Sequence, residues 1–242
     1  MITLYKFGEQ WGISDPSPFC VKLESFLRIN DIDYSLGGSD IKSNLEKAPK
    51  KKMPFIEFDN GELLGDSNFI IERLCADNGI DMDASLTTEQ KAQSYAFRRM
   101  LDEGLYFVML YSRWIDAAGW NVMKPLFFGD IPAILRSFIS NKIRKEVINQ
   151  AYEQGVGRHS PDEIYDMGVK DMKALSDLLG DNKYFFGSDK PTRLDIWVHA
   201  YVIEVIQSPI ENKLKENTLK LDSICAHAKH MQELIYTDKN LN

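Results

Sequence analysis

The stretch KKMPFIEFDNGELLGDSN, residues 51–68, predicts a strand, a tight turn, a second strand and the start of a helix. Pro54 opens the first strand, where its missing N–H need not cost a hydrogen bond of the sheet. Asn60-Gly61 can adopt positive φ at both central turn positions, which is a strong hairpin signal. Asp66-Ser67 then places an acidic side chain and a hydroxyl beside the first N–H groups of a helix. Because a helix start with free donors favours a carboxylate, this segment can hold a small peptide with a free α-carboxylate and α-amine.

Composition and charge limit the classes of protein to which the chain can belong. Its 242 residues suffice for one large domain or two modest ones. The formal net charge of −7 argues against nucleic-acid binding, which needs a basic face. No apolar run approaches the roughly 20 residues that span a bilayer, and no signal-peptide pattern is present. Cys20, Cys75 and Cys225 are widely spaced and odd in number, so they form neither a disulfide framework nor a metal cluster. We therefore expect a cytoplasmic protein with no metal and no nucleic-acid or membrane partner.

The first third of the chain alternates between strand and helix patterns. Ile2 to Phe7 alternates apolar and polar residues, as a half-buried strand does. Ser17-Pro18 then predicts a helix, with serine at the cap and proline at the first helical position. A short strand near residues 33–36, a weak helix or loop over 42–52, the hairpin and a helix over about 67–77 follow. A strand–helix–strand unit followed by a hairpin and a helix is a thioredoxin-like pattern.

The remainder of the chain reads as helices. Thr87 with Gln90 and Ser160 with Glu163 have the spacing of capping boxes. The first precedes a long aromatic-rich helix over 88 to about 118, and the second a helix that runs to about 179. Two further helices are predicted, a nearly all-apolar and therefore buried one over 196–206 and an amphipathic one over about 221–236. We predict an α/β thioredoxin-like domain over residues 1–78 and an all-α domain over residues 87–242.

These pieces together resemble the cytosolic glutathione transferases over nearly the whole chain. The resemblance rests on Ser17-Pro18-Phe19, Met53-Pro54 and Asp66-Ser67, and on Thr192-Arg193-Leu194-Asp195, which is similar to the capping motif of the family's buried core helix. More narrowly, Phe7-Gly8 through Cys20, with Gly155 to Ser160, resembles the subgroup around failed-axon-connections and metaxin proteins. The resemblance implies a glutathione-transferase-like fold, homodimerisation and a role in detoxification.

The resemblance also implies roles for individual residues. Met53, before a cis Pro54, is expected to pair its backbone with the cysteinyl part of glutathione, while Asp66 and Ser67 hold the γ-glutamyl carboxylate and amine. Lys52 matches a position that can reach the peptide's carboxylate. Ser17 matches the serine that stabilises the glutathione thiolate, and a hydroxyl at a helix start can donate to S⁻.

Several of these residues also have a purely structural interpretation. Ser17 can be a plain helix cap, and Cys20 is more readily a small buried hydrophobe than a redox nucleophile. Tyr106 can line an electrophile pocket or belong to the helical core. Our leading hypothesis is a glutathione transferase that adds or exchanges the glutathione thiolate on a small electrophile. The alternatives are a non-catalytic interaction module on the same fold and a glutathione-dependent thiol oxidoreductase that uses Cys20.

Overall fold

Four strands form one mixed sheet at the N-terminal end of the chain. The computed structural model describes residues 1–236 of the 242, so the last six residues of the predicted all-α domain lie outside the described part. The strand order is β2-β1-β3-β4, with β1 parallel to β2 and the other neighbours antiparallel. The strands are β1 (Ile2–Tyr5), β2 (Tyr34–Leu36), β3 (Phe55–Phe58) and β4 (Leu63–Gly65).

Three helices complete this α/β unit in the predicted order. Pro18 occupies the first turn of α1 and Ser17 its N-cap, as expected. The weak-helix interpretation of the charged segment is correct for its first part, because Asp40 caps a short helix by accepting from Lys42 N–H and Ser43 N–H. The helices are α1 (Pro18–Ile29), α2 (Ile41–Lys47) and α3 (Ser67–Asn78).

Helices make up the rest of the described chain. Both predicted capping boxes are present, at Thr87 with Gln90 and at Ser160 with Glu163. Asp195 accepts from the N–H and the hydroxyl of Thr192 at 2.7 Å, which closes the predicted cap of the buried helix. The helices are α4 (Thr88–Met100), α5 (Tyr106–Leu110), α6 (Ala117–Phe128), α7 (Ala133–Gln154), α8 (Pro161–Leu179), α9 (Arg193–Gln207), α10 (Lys213–Thr218) and α11 (Asp222–Tyr236).

The long helix predicted from residue 88 is interrupted twice. Leu101–Leu105 and Tyr111–Ile115 are π-helical, and the second segment ends at Asp116, which caps α6. Residue spacing could not indicate this, because a π-bulge shifts side chains around the helix without a composition signal. Such bulges occur frequently at functional sites, and here they flank Tyr106.

A buried carboxylate joins the two parts of the chain. Asp102 accepts from the Lys22 ammonium of α1 at 3.1 Å and from the Asn68 amide of α3 at 2.9 Å. It also accepts from Trp197 Nε1 at 3.1 Å and from the Tyr201 hydroxyl at 3.0 Å, both on α9. Burial lowers the pKa of Lys22 to about 8, and the neighbouring Asp102 opposes that shift. This satisfied polar cluster therefore ties α1 and α3 to the helical part of the chain.

Candidate active site

The hairpin register places Pro54 beside Asp66. Phe55 pairs with Gly65, so the residues just outside that pair, Pro54 and Asp66, are neighbours across the two strands. The Met53–Pro54 peptide bond is cis, as the resemblance implied. Met53 is buried, and among the described residues no side chain or backbone group outside the sheet hydrogen-bonds to its N–H or C=O. These groups are therefore open to an extended peptide.

Asp66 adopts an unusual backbone conformation at the start of α3. Its φ is 83° and its ψ 113°, which a residue with a side chain rarely adopts. Strain of this kind clusters at ligand-binding positions. One carboxylate oxygen accepts from Asn68 N–H at 3.0 Å, and the other lies 3.3 Å from Lys50 Nζ. Ser67, the next residue, is 3% exposed. The Lys52 side chain, which the resemblance assigns to the carboxylate of the peptide, is exposed, while Lys50 is the lysine that pairs with Asp66.

Ser17 lies at the start of α1 with a hydroxyl that makes no capping bond. The plain-cap interpretation therefore accounts only for its backbone. The hydroxyl instead lies beside the Cys20 thiol. Cys20 is fully buried with Met53, Tyr5 and Phe55 in one small apolar cluster. This contact brings the N-terminal turn of α1 to the Met53–Pro54 bond.

Cys20 is held in its neutral form. Burial raises the pKa of its thiol well above the usual value, and the nearby Asp15 carboxylate adds to that effect. A thiolate is the nucleophile in thiol chemistry, and reactive cysteines lie in accessible, electropositive surroundings. The buried-hydrophobe interpretation of Cys20 therefore agrees better with these surroundings than the redox one.

Asp15 organises the loop before Ser17, and sequence reasoning did not single it out. Its carboxylate accepts from three backbone groups, Phe7 N–H at 2.8 Å, Gly8 N–H at 2.9 Å and Ser17 N–H at 2.9 Å. Burial nevertheless raises the pKa of Asp15 to about 7, because the loss of hydration outweighs these donors and Lys6. The signal in the sequence is an aspartate two residues before the cap, the spacing of an Asx-turn.

Residues of the helical part line the candidate site next to Ser17. The Tyr106 ring lies 4.8 Å from the ring of Phe19, two residues after Ser17. Arg113 donates to the Pro16 carbonyl at 2.6 Å and pairs with the buried Glu204 at 2.6 Å. Burial raises the pKa of Tyr106 above its ordinary value, so its hydroxyl stays protonated at neutral pH. Tyr106 therefore belongs to the wall nearest the start of α1.

Three links bring the predicted site residues together. Cys20 joins Ser17 to the Met53–Pro54 backbone, and the hairpin places Pro54 beside Asp66 and Ser67. Phe19 joins Tyr106 to the start of α1. Lys52, directly before Met53 in the chain, has an exposed side chain. Within residues 1–236 no set of His, Cys, Asp and Glu side chains is arranged to hold a metal ion. No helix of the described chain is both long and apolar enough to cross a bilayer.

Comparisons with known proteins identify the family. The family model of the glutathione S-transferase N-terminal domain matches residues 18–119, and that of the glutathione S-transferase C-terminal domain matches residues 168–231. The isoprene-epoxide–glutathione S-transferase of Rhodococcus sp. (strain AD45) is 31% identical over 86% of this chain and 88% of its own length. The chain belongs to the glutathione S-transferase family.

Within that family the chain is also similar to the subgroup that its loop motifs indicated. Failed axon connections of Drosophila melanogaster is 31% identical over 98% of this chain, which spans 59% of that protein. Metaxin-1 of Macaca fascicularis is 27% identical over 96% of this chain and 74% of its own length. Among solved structures, glutathione S-transferase isozyme E7 of Drosophila melanogaster aligns with a TM-score of 0.59 at 20% identity over 98% of this chain and 89% of that one. The predicted fold, a thioredoxin-like unit followed by a helical one, is confirmed.

Proposed function

We propose that this protein is a glutathione transferase that joins the glutathione thiolate to a small electrophile, with epoxides as the first class to test. The observation that carries the proposal is the hairpin register, which puts the open Met53 backbone, Asp66 and the N-terminus of α3 side by side. The substrate class is suggested by the isoprene-epoxide relative.

Each part of glutathione has a matching group. The γ-glutamyl amine and carboxylate meet the Asp66 carboxylate and the first N–H groups of α3, whose partial positive charge favours an anion. The cysteinyl unit pairs with the backbone of Met53 as a short added strand does. The thiol then lies at the start of α1, where the Ser17 hydroxyl donates to S⁻ and lowers the thiol pKa. Lys52 is exposed and can approach the glycyl carboxylate.

The groups of this site can carry out every bond change in the reaction with an epoxide. A sulfur electron pair forms the bond to one ring carbon, and the C–O bond of that carbon breaks. The pair from that bond remains on the oxygen, which takes a proton. The Tyr106 hydroxyl, protonated at neutral pH, can supply that proton and regain one from water, while its ring and Phe19 hold the apolar part of the substrate.

Calorimetric titration of glutathione tests the binding step. Asp66→Ala is expected to lose about 1.5–3 kcal/mol of binding free energy, because a hydrogen bond to a charged group disappears, and this is roughly tenfold or more in Kd. Asp59→Ala is the matched control, since Asp59 is an exposed aspartate of the same hairpin that pairs only with the N-terminus among the described residues. Failure of the wild type to bind glutathione would overturn the proposal.

A second candidate function is a non-catalytic interaction module. It is favoured by the similarity to metaxin-1. It is also favoured by the position of α6 and α7, because these helices lie largely in residues 120–167, a segment that neither transferase match covers. Glutathione binding by the wild-type protein with no turnover of epoxides, activated halides or peroxides would select this candidate.

The transferase proposal also includes homodimerisation and a cytoplasmic location. Light scattering tests the homodimer.

The thiol-oxidoreductase alternative requires Cys20 to become accessible, which its full burial opposes. Loss of a glutathione-dependent reductase activity in Cys20→Ser, together with its retention in Ser17→Ala, would restore that alternative.

A further inference from the structure

The helical hairpin formed by α6 and α7 packs one face against the second π-helical segment. The Trp120 ring lies 5.9 Å from Trp114, and Arg144 covers Trp120 with its guanidinium 4.9 Å from the ring centre. Arg144 also donates to the carbonyls of Trp114 and Ile115 at 2.8 and 2.7 Å. The hairpin is therefore anchored on the helical domain, and its outer face is a second, separate surface.

That outer face carries large apolar side chains in water. Ile134 is 92% exposed, Phe138 72% and Leu135 52%. Residues three and four apart share one face of a helix, so these side chains form one stripe along the first two turns of α7. A contiguous exposed stripe of this kind marks an interaction surface.

The same segment is basic within an acidic chain. Residues 124–145 contain five basic side chains and one acidic one, Asp130, a formal net charge of +4 in a chain of −7. Arg136 and Arg144 are committed to backbone carbonyls. Lys142 and Lys145 continue the stripe, four and seven residues after Phe138; both are exposed and no ion pair joins them to another described residue. An apolar stripe that ends in unpaired lysines is complementary to a surface with an apolar interior and an anionic outer layer.

We propose that the outer face of this hairpin, Ile134, Leu135, Phe138, Lys142 and Lys145, binds the surface of a membrane that contains anionic lipids. Side chains as exposed as Ile134 and Phe138 protrude and leave no groove for a peptide, whereas protruding apolar groups with neighbouring lysines suit the interface of a bilayer. The lysines of two copies would repel one another across a symmetric dimer at this face. Such binding is peripheral, so it needs no spanning helix, and it goes beyond the membrane-free expectation drawn from the sequence.

Vesicle sedimentation tests the proposal directly. We expect the full-length protein to bind vesicles of phosphatidylcholine with about a third phosphatidylserine, and to bind pure phosphatidylcholine far less. Partition onto the anionic vesicles should fall about tenfold or more in I134S/F138S and in K142E/K145E, because the first loses apolar contact and the second reverses two charges. Added salt should weaken wild-type binding.

Matched variants control for surface chemistry elsewhere. L219S/L234S removes two apolar side chains that are 49% and 48% exposed on the same domain, and K190E/K229E reverses two exposed lysines; both should bind like the wild type. Thermal melting checks that every variant is folded, and glutathione titration of I134S/F138S separates this surface from the proposed active site. Absence of vesicle binding, or unchanged binding in both hairpin variants, overturns the proposal. A dimer that I134S/F138S dissociates, without vesicle binding, would assign the face to a second copy instead.

Discussion

Arg113 donates to the carbonyl oxygen of Pro16 at 2.6 Å, so a residue of the helical domain holds the backbone directly before Ser17. The same guanidinium pairs with the fully buried Glu204 at 2.6 Å. The position of the proposed thiolate-stabilising serine is thus set jointly by the two domains.

Arg113→Met is expected to lower the free energy of unfolding by about 3–5 kcal/mol, because it leaves Glu204 buried without its partner. Arg99→Met is the control, since Arg99 pairs with Glu103 at the surface and exposed pairs contribute about 1 kcal/mol or less. Chemical denaturation measures both. Equal losses in the two variants would contradict the role given to the Arg113–Glu204 pair.

Removal of Asp102 should destabilise the junction between the domains. Asp102→Ala leaves the Lys22 ammonium buried with only Asn68 as a hydrogen-bond partner, and we expect a loss of about 3–5 kcal/mol. The double variant Lys22→Met with Asp102→Leu removes both charges and should regain much of that stability, since an apolar pair of similar volume replaces them. Denaturation curves of the three proteins decide the point; a double variant no more stable than Asp102→Ala would show that the charges are not the cause.

Asp15 predicts a pH dependence of stability. Its pKa is raised from 3.8 to about 7 in the folded protein, so between these values the folded state holds a proton that the unfolded state has released. The contribution of Asp15 to the free energy of unfolding therefore falls as the pH rises from about 4 to about 7. Asp15→Asn does not titrate, so the stability of the wild type relative to this variant should fall across the window. Denaturation at several pH values in both proteins provides the test, and a stability difference that stays constant or grows in favour of the wild type as the pH rises would contradict the prediction.

Ser17→Ala is expected to raise the thiol pKa of bound glutathione by about 1–2 units, the equivalent of one hydrogen bond to a charged group. Its affinity for glutathione should change little, because the peptide is held by other residues. Ultraviolet absorbance of the thiolate across a pH series measures the shift. Ser39→Ala, an exposed serine outside the site, is the control. An unchanged thiol pKa would leave the thiolate to the backbone N–H groups of α1.

Gly119 allows α6 to lie against the second π-helical segment. A Cβ at this position would overlap the carbonyl oxygen of Ser112, so Gly119→Ala should cost about 1–3 kcal/mol of stability. Gly38→Ala is the matched control, because no atom lies within 4 Å of the added Cβ there. Thermal melting of the two variants compares them, and a Gly119→Ala protein as stable as Gly38→Ala would show that the hairpin can shift at no cost.

Much of this architecture could be predicted from local chemistry. Asn60-Gly61 predicts a tight turn, and the hairpin forms there, but Phe58 pairs with Glu62 across a three-residue loop in which only Gly61 has positive φ, so the expectation of positive φ at both positions is wrong for Asn60. Each of Thr87, Ser160 and Thr192 precedes an acid or amide by three residues, and the predicted starts of these three helices are confirmed. These signals act within a few residues, and for that reason they can be recognised without knowledge of the fold. The glutathione-binding roles of Met53, Asp66 and Ser67 come from family resemblance and stay predictions that the titrations test.

Long-range contacts decided what local patterns could not. The pairing of Lys50 with Asp66 and the junction at Asp102 each join residues that are distant in the chain. Asp15 reads as a loop residue, yet the fold buries it and raises its pKa. The sequence alone determined the turns, caps and helix faces, because these depend on neighbouring residues. Only the tertiary structure determined burial and charge pairing, because desolvation and Coulomb attraction depend on which distant groups meet.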